Sequence, residues 1–424
     1  MSYFTYKESR LSAENIDLAD LVKSIDTPFY CYSLSSLQDK YKALSSSYTN
    51  DNLLICYSIK ANSNQSIIKC FSDLGSGADV VSIGELKRAL KANIPNKKIV
   101  FSGVGKTTEE INYALEKDIL MFNVESLDEL KHLSVLAKNQ GIKAPTAIRI
   151  NPNIAAGGNA KISTGKTEDK FGISWEDAID IYNIADSLEG IEIKGIDIHI
   201  GSQINDLDPF SKSFECILDI IKELESRNFN IDIIDIGGGI GIDYKDEGKN
   251  LNIDEYFELV QEKLGDLGKT IIIEPGRYLT AESGVLVTEI IYVKKESNKN
   301  FVIVDAGMND FIRPTLYGAE HKILPVIENT RSNSLEPYDI VGPICETGDL
   351  FFKNLPLDNP KKGDLLALLS VGAYGSVLSS NYNSRPTISE VLVKDHQSEL
   401  ISCLLYTSDA ADEGLGVDLG GRRI

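Results

Sequence analysis

Between residues 53 and 274, apolar strand-like runs alternate with amphipathic helix-like segments. Beyond residue 284, strand-like runs follow one another with few helices between them. Alternation of the first kind means parallel strands joined by helical crossovers. Eight such repeats within about 250 residues suit a (β/α)8 barrel, with a doubly wound open sheet as the alternative. The sequence therefore predicts an α/β chain, with a TIM-like barrel over residues 28–280 and a mostly-β domain over 281–402. Residues 1–27 carry weak signals and are expected to pack with the β domain, because chain termini often lie close together.

In order, Pro28–Tyr32 reads as a short strand and Ser35–Tyr48 as a helix. The barrel strands are Leu53–Ser58, Ala78–Ser82, Lys98–Ser102, Met121–Val124, Thr146–Asn151, Gly195–Ile200, Ile231–Ile236 and Thr270–Glu274. Between them lie the amphipathic segments Ile83–Ala92, Glu109–Glu116, Leu127–Lys138, Trp175–Leu188, Phe210–Arg227 and Ile253–Leu267. The β domain is read from Gly284–Lys294, Phe301–Ala306, Pro337–Gly342, Leu365–Leu369 and Thr387–Val393. From about Cys403 the chain continues no pattern and resembles a translated sequencing adapter; residues 403–424 are expected to be non-native and to stand in place of the natural C-terminus.

Composition narrows the function. The chain has 424 residues, 42% of them hydrophobic and 25% charged, as in an ordinary globular protein. A net charge of −20 argues against nucleic acid and anionic membranes as partners. No apolar run is long enough to span a bilayer, and the start lacks a signal-peptide layout. The six cysteines are scattered without a Cys-x-x-Cys pair, which suits reduced thiols in a cytoplasm and neither a disulfide framework nor a metal site.

In a barrel the reactive residues come from the C-terminal ends of the strands. Lys60 follows the first strong strand, Asp79 and Ser82 end the next, and His199-Ile200-Gly201-Ser202-Gln203 follows Gly195–Ile198. Gly237-Gly238-Gly239 follows Ile231–Ile236, and Glu274-Pro275-Gly276-Arg277 follows Thr270–Ile273. A lone lysine is usually solvated, but one held at the end of a buried strand is able to act as a nucleophile toward an aldehyde. Three glycines are ordinarily a tight turn; they also let backbone N–H groups approach a phosphate. The triplet lacks the third glycine of a dinucleotide fingerprint, and Gly103-Val104-Gly105-Lys106-Thr107 fails as a P-loop because Val100 stands where its first glycine belongs. His199 reads as a core histidine or as a ring stacked on a flat cofactor. Glu274 beside Arg277 reads as a surface ion pair, or as a carboxylate for a pyridine nitrogen next to a bidentate grip for an anion. A lone Cys345-Glu346 pair signals nothing by itself.

Together, Tyr57-Ser58-Ile59-Lys60-Ala61-Asn62, the run Gly77–Leu86, Lys170-Phe171-Gly172-Ile173, His199–Gln203, Asp235–Gly239, Glu274–Tyr278 and Cys345–Asp349 occur in an order that resembles the fold-type III decarboxylases dependent on pyridoxal phosphate (PLP), among them those acting on diaminopimelate. The likeness runs from about Tyr30 to Val393 and implies an alanine-racemase-like pair of domains. It implies that Lys60 carries PLP as a Schiff base with Asp79 nearby, that His199 stacks on the ring, and that Glu274 faces the pyridine nitrogen. Ser202, Gly237, Gly238, Gly239, Gly276, Arg277 and Tyr374 would line the phosphate side. Arg277, Arg313, Tyr317 and Tyr374 would hold the distal end of the substrate, with Glu346 on its ammonium. Cys345 would protonate the carbanion left by CO2. Cys345 and Glu346 would come from the partner subunit of a homodimer. The implied reaction turns meso-2,6-diaminopimelate into L-lysine, the last step of lysine biosynthesis. Rival readings are a decarboxylase of ornithine, arginine or carboxynorspermidine, a racemase on the same barrel, or a non-catalytic PLP-binding homologue. Arg313 and a Cys-Glu rather than a Cys-Asp pair favour diaminopimelate.

Overall fold

The computed structural model describes residues 3–154, 169–245, 247–328 and 335–402. The adapter-like segment from residue 403 lies outside them. The chain forms two compact units, one of Leu37–Leu279 and one of the residues up to Ser36 and from Thr280 onward.

Leu37–Leu279 is a closed barrel of eight parallel strands. They are β1 (Leu53–Ser58), β2 (Gly77–Val80), β3 (Ile99–Phe101), β4 (Met121–Val124), β5 (Ala144–Asn151), β6 (Ile191–Ile198), β7 (Ile233–Asp235) and β8 (Thr270–Ile273). Each pairs with the next, β8 pairs with β1, and the doubly wound alternative is excluded by that closure. A two-residue strand, Ile173–Ser174, hangs on β5.

The strand period of two builds the interior. Cys56, Val100, Met121, Ala147, Ile233 and Ile272 share one buried apolar cluster. Two residues further along the same strands stand Ser58, Ser102, Asn123, Arg149, Asp235 and Glu274. On β2 and β6 the step runs from Gly77 to Asp79 and from Gly195 to Asp197. Each strand thus adds one buried polar residue to a girdle above an apolar floor. The crossover helices start on side-chain caps: Ser82 for Ile83–Lys91, Ser126 for Leu127–Asn139, and a Thr107–Glu110 capping box for Thr108–Glu116. The failed P-loop run therefore leads into a capped helix. Its Lys106, with a side chain 1% exposed, donates to the Gly103 and Asn123 carbonyls and to Glu129 at 2.7–2.8 Å.

The other unit is built on the strand Gly284–Lys295, which pairs antiparallel with Phe29–Ser33, Asn300–Val304 and Leu365–Leu368. Phe29–Ser33 also pairs, in parallel, with Ser389–Lys394. The sequence pattern places Phe29–Ser33 with the barrel, and the structure places it in this sheet. All five of its residues are buried, and a strand covered on both faces needs a partner along each edge, which this sheet provides. Phe4, Leu11, Ala13, Leu18 and Leu21 of the N-terminal segment share a core with Phe29, Val285, Val287 and Val391. No helix among the described residues is long and apolar enough to cross a membrane.

Candidate active site

The barrel gathers one set of predicted residues at the C-terminal ends of its strands. Lys60 lies in the single turn Ile59–Ala61 just past β1, and its Nζ donates to Asp79 Oδ2 at 2.6 Å. Ser58 Oγ donates to the same oxygen. Burial alone would raise the Asp79 pKa; the Lys60 charge and the hydrogen bonds from Lys60 and Ser58 outweigh it and hold the carboxylate below its ordinary range. The ammonium tip of the lysine is therefore held by a buried anion, with its side chain 37% exposed.

The girdle around this pair is crowded with acid. Arg149 Nη1 donates to Glu125 Oε1 at 2.9 Å, and its Nε stands 3.9 Å from Asp197 Oδ2. Glu125 also accepts the Gly103 and Gly172 amides, and the Arg149 guanidinium lies over the Phe171 ring. The charges of Lys60 and Arg149 are thus taken up by Asp79 and Glu125. Asp197, Asp235 and Glu274 remain, each fully enclosed. Burial, reinforced by their mutual repulsion, pushes Asp197 and Glu274 well above the usual carboxylate range. Burial pushes Asp235 up to about 6. Glu274 is thereby a carboxyl with strong affinity for a proton, at the end of β8.

Two loops meet beside it. Asp235 Oδ1 accepts the Gly237 amide at 3.0 Å and so turns the chain out of β7. A Cβ at Gly238 would overlap the Glu274 carbonyl oxygen, and at Gly239, with φ +97°, it would stand 2.6 Å from the Gly201 carbonyl oxygen. The triplet is glycine because it is wedged between the two loops. The Gly238 amide donates to His199 Nδ1 at 3.1 Å, which leaves the ring proton on Nε2. Burial, with Arg149 and Lys60 adding, pushes His199 down to about 3, so the imidazole is neutral. Past Gly276, Arg277 donates to Ser202 Oγ from Nε at 3.3 Å and Nη2 at 3.1 Å, and to the Tyr244 hydroxyl from Nη1 at 2.6 Å.

The remaining predicted residues belong to the other unit. Arg313 opens the helix Arg313–Tyr317, is buried, and lies over the Tyr317 ring at 5.7 Å. Its Nε donates to His321 Nε2 at 3.4 Å, while His321 Nδ1 is 3.0 Å from the Leu369 carbonyl oxygen and its ring meets Phe311 edge-on. A single tautomer, protonated on Nδ1, serves both contacts. Cys345 and Glu346 are exposed, on a loop held by Asp349, which accepts the Met308 and Ile344 amides at 2.7 Å. The Tyr382 hydroxyl donates to Glu346 Oε1 at 2.6 Å. Tyr374 follows Gly372 and Ala373 in a left-handed conformation, φ +55°.

The donor set fits a phosphorylated pyridine aldehyde. It supplies an amine with a fixed counter-ion, a proton-holding carboxyl, a neutral ring, and a glycine loop next to an arginine with a hydroxyl. Sequence reasoning missed Ser102, Asn123, Glu125, Arg149, Asp197, Tyr244 and His321. For Ser102, Asn123 and Arg149 the signal existed: each is two residues past the inward apolar Val100, Met121 or Ala147. His321 carried none.

The pyridoxal binding domain model of the pyridoxal-dependent decarboxylases matches residues 34–281. The chain is 42% identical over 399 residues to the diaminopimelate decarboxylase of Aquifex aeolicus, covering 94% of each chain. It is 45% identical over 382 residues to that of Helicobacter pylori strain J99, covering 90% of this chain and 94% of the other. Among solved structures, a Helicobacter pylori diaminopimelate decarboxylase complexed with L-lysine superposes with a TM-score of 0.89 at 42% identity, over 94% of this chain and all of the other. One from M. jannaschii, also in complex with L-lysine, gives 0.91 at 33% identity, over 97% of each. With its family model spanning more than half the sequence and relatives this similar along nearly its whole length, the chain belongs to the pyridoxal-dependent decarboxylases.

Proposed function

We propose that this chain removes CO2 from meso-2,6-diaminopimelate to give L-lysine, with pyridoxal phosphate held by Lys60. The observation that carries the reading is identity of 42–45% to diaminopimelate decarboxylases over at least 90% of the chain, β unit included. The barrel residues alone suit any member of the family. Arg313 and Glu346 address the distal, amino-acid end of the substrate.

Bound PLP supplies an electron sink for the pair released when the bond to the substrate carboxylate breaks. The chain's own residues do the rest. Asp79 fixes the Lys60 amine. Neutral His199 would lie against the cofactor ring without adding charge. Glu274 would face the ring nitrogen and hold a proton there. Arg277, oriented by Ser202 and Tyr244, binds anionic oxygens beside the glycine loop, with Tyr374 assisting. Arg313, its Nε directed by His321, pairs with the distal carboxylate beside Tyr317, and Glu346 accepts from the distal ammonium. The Cys345 thiol donates its proton to the carbon that has lost CO2, and water restores that proton. Cys345 and Glu346 act in the partner subunit's site, so the working unit is a homodimer.

The test is CO2 release from meso-diaminopimelate by PLP-loaded protein, with ornithine, arginine and carboxynorspermidine in parallel. Release from diaminopimelate with lysine formed supports the reading, and release from another of the four overturns the substrate. Lys60→Ala is expected to lose both cofactor absorbance and activity. Cys345→Ala is expected to keep the absorbance and lose most turnover.

A further inference from the structure

Asn123 lies at the centre of the girdle, fully buried on β4. Its Nδ2 is 3.1 Å from Ser102 Oγ, 3.1 Å from Asp235 Oδ2 and 3.5 Å from Glu274 Oε1. Ser102 Oγ is itself 3.3 Å from Glu274 Oε1. Asn123 Oδ1 has no hydrogen-bond partner. The amide is therefore turned with its donor toward two carboxyls, while its acceptor goes unpaired in the interior. Leaving that oxygen unpaired costs free energy, which donation to a negatively charged oxygen offsets. Asp79, Asp197, Asp235 and Lys60 act on Glu274, Arg149 is close enough to feel its charge, and Cys56 feels both Glu274 and Asp235. Tyr256 feels the Asp235 charge. Both cations are already engaged by Asp79 and Glu125. A neutral donor stabilises negative charge on Glu274 without placing a third cation beside the cationic ring nitrogen.

We propose that Asn123, with Ser102 bridging, is a positioning residue that keeps Glu274 anionic, so that the proton shared with the cofactor resides on the ring nitrogen and not on the carboxyl. The inference rests on Glu274 as the partner of that nitrogen. Acid crowding favours the opposite placement: in these surroundings Glu274 binds a proton strongly. The Ser102 hydroxyl at 3.3 Å and the Asn123 amide at 3.5 Å from Oε1 oppose that preference. With the proton on Glu274, the ring would be a poorer electron sink, and turnover would fall without a change in substrate binding.

The test uses holoenzyme loaded with PLP labelled with 15N at the ring nitrogen, in wild type, Asn123→Leu, Ser102→Ala and Glu274→Gln. The readouts are the 15N chemical shift, which separates pyridinium from neutral pyridine, together with kcat, KM and far-UV circular dichroism. Wild type is expected at the pyridinium position. Asn123→Leu is expected to move toward neutral pyridine, with the proton-transfer equilibrium changed by about tenfold or more, the scale of one hydrogen bond to a charged group. Its kcat falls while KM holds. Ser102→Ala moves the same way by less and decides the matter if Asn123→Leu does not fold. Pyridinium shifts unchanged in both variants, with or without a loss of kcat, overturn the proposal. Glu274→Gln separates the two layers of the argument. If its ring nitrogen stays protonated, the assignment of Glu274 fails. If it becomes neutral while Asn123→Leu and Ser102→Ala match wild type, only the role of Asn123 fails.

Discussion

Replacing Arg149 by methionine tests the charge balance of the barrel interior. The substitution keeps most of the stem volume and removes the cation. Arg149 and Glu125 are 8% and 1% exposed, so water screens neither. Without the guanidinium, Glu125 retains, among the described residues, the Gly103 and Gly172 amides at 2.9 and 3.2 Å. Asp197 loses its cation as well, and Lys60 is already held by Asp79. Removing one partner of a buried ion pair costs about 3–5 kcal/mol, because the other charge stays behind. At about 2–4 °C per kcal/mol for a unit of this size, the melting temperature should drop by about 6–20 °C. Adding Glu125→Gln removes the stranded anion and should recover at least about 1 kcal/mol, a coupling that a double-mutant cycle reads directly. The assay is denaturant unfolding near neutral pH, followed by circular dichroism, for wild type, both single variants and the double variant. An Arg149→Met protein within about 0.5 kcal/mol of wild type, the scale of an inert surface change, would refute the reasoning. So would a double variant no more stable than Arg149→Met alone.

Apoprotein stability should fall as pH rises. Asp235, Asp197 and Glu274 have folded pKa values raised above their unfolded ones, so their contribution is complete below about pH 4 and is lost through about 6 for Asp235 and higher for the others. Asp79, with a lowered pKa, contributes fully above about pH 4 and loses its share only as the pH falls through its lower folded pKa. The denaturation midpoint is expected to be higher at about pH 5 than at about pH 8, with Asp235→Asn flattening the slope; a midpoint that climbs with pH counts against the buried cluster. Gly238→Ala places a methyl group on the Glu274 carbonyl oxygen, and overpacking of about 1–3 kcal/mol should weaken PLP binding by at least about fivefold in an absorbance titration. Unchanged affinity would show that the loop yields freely. His321→Phe keeps a ring against Phe311 but removes the acceptor for Arg313 Nε. KM for diaminopimelate should rise about fivefold, the scale of one net hydrogen bond, with little change in kcat; a fall in kcat alone would contradict an orienting role. Glu14→Ala strips the acceptor shared by Ser33 Oγ, Ser35 N, Ser35 Oγ and Asp395 N. A loss of about 2–4 kcal/mol in unfolding of the β unit is expected, and a loss within experimental error would show that water replaces those bonds.

Local sequence by itself determined the strands, the crossover helices and the residues at the strand ends. Met121–Val124 and Leu53–Ser58 are strands over the same residues read from their apolar runs, because a short, largely apolar run suits a sheet covered on both faces. Lys60, His199, Glu274 and Arg277 were legible for the same reason: a reactive side chain directly after such a strand stands where a barrel presents chemistry. The tertiary structure decided what those residues answer to. Asn123 meets Asp235 and Glu274 across 112 and 151 residues of chain, and neither distance leaves a trace in local periodicity. The two come together only because β4 closes on β5 and β8 on β1, which puts the polar ends of distant strands around one axis. Phe29–Ser33 was a strand by composition, but its place in the other sheet followed from which edges were open. A pattern along the chain reports which face is buried; which charges then share that burial, and so which of them keep a proton, depends on closure of the whole barrel.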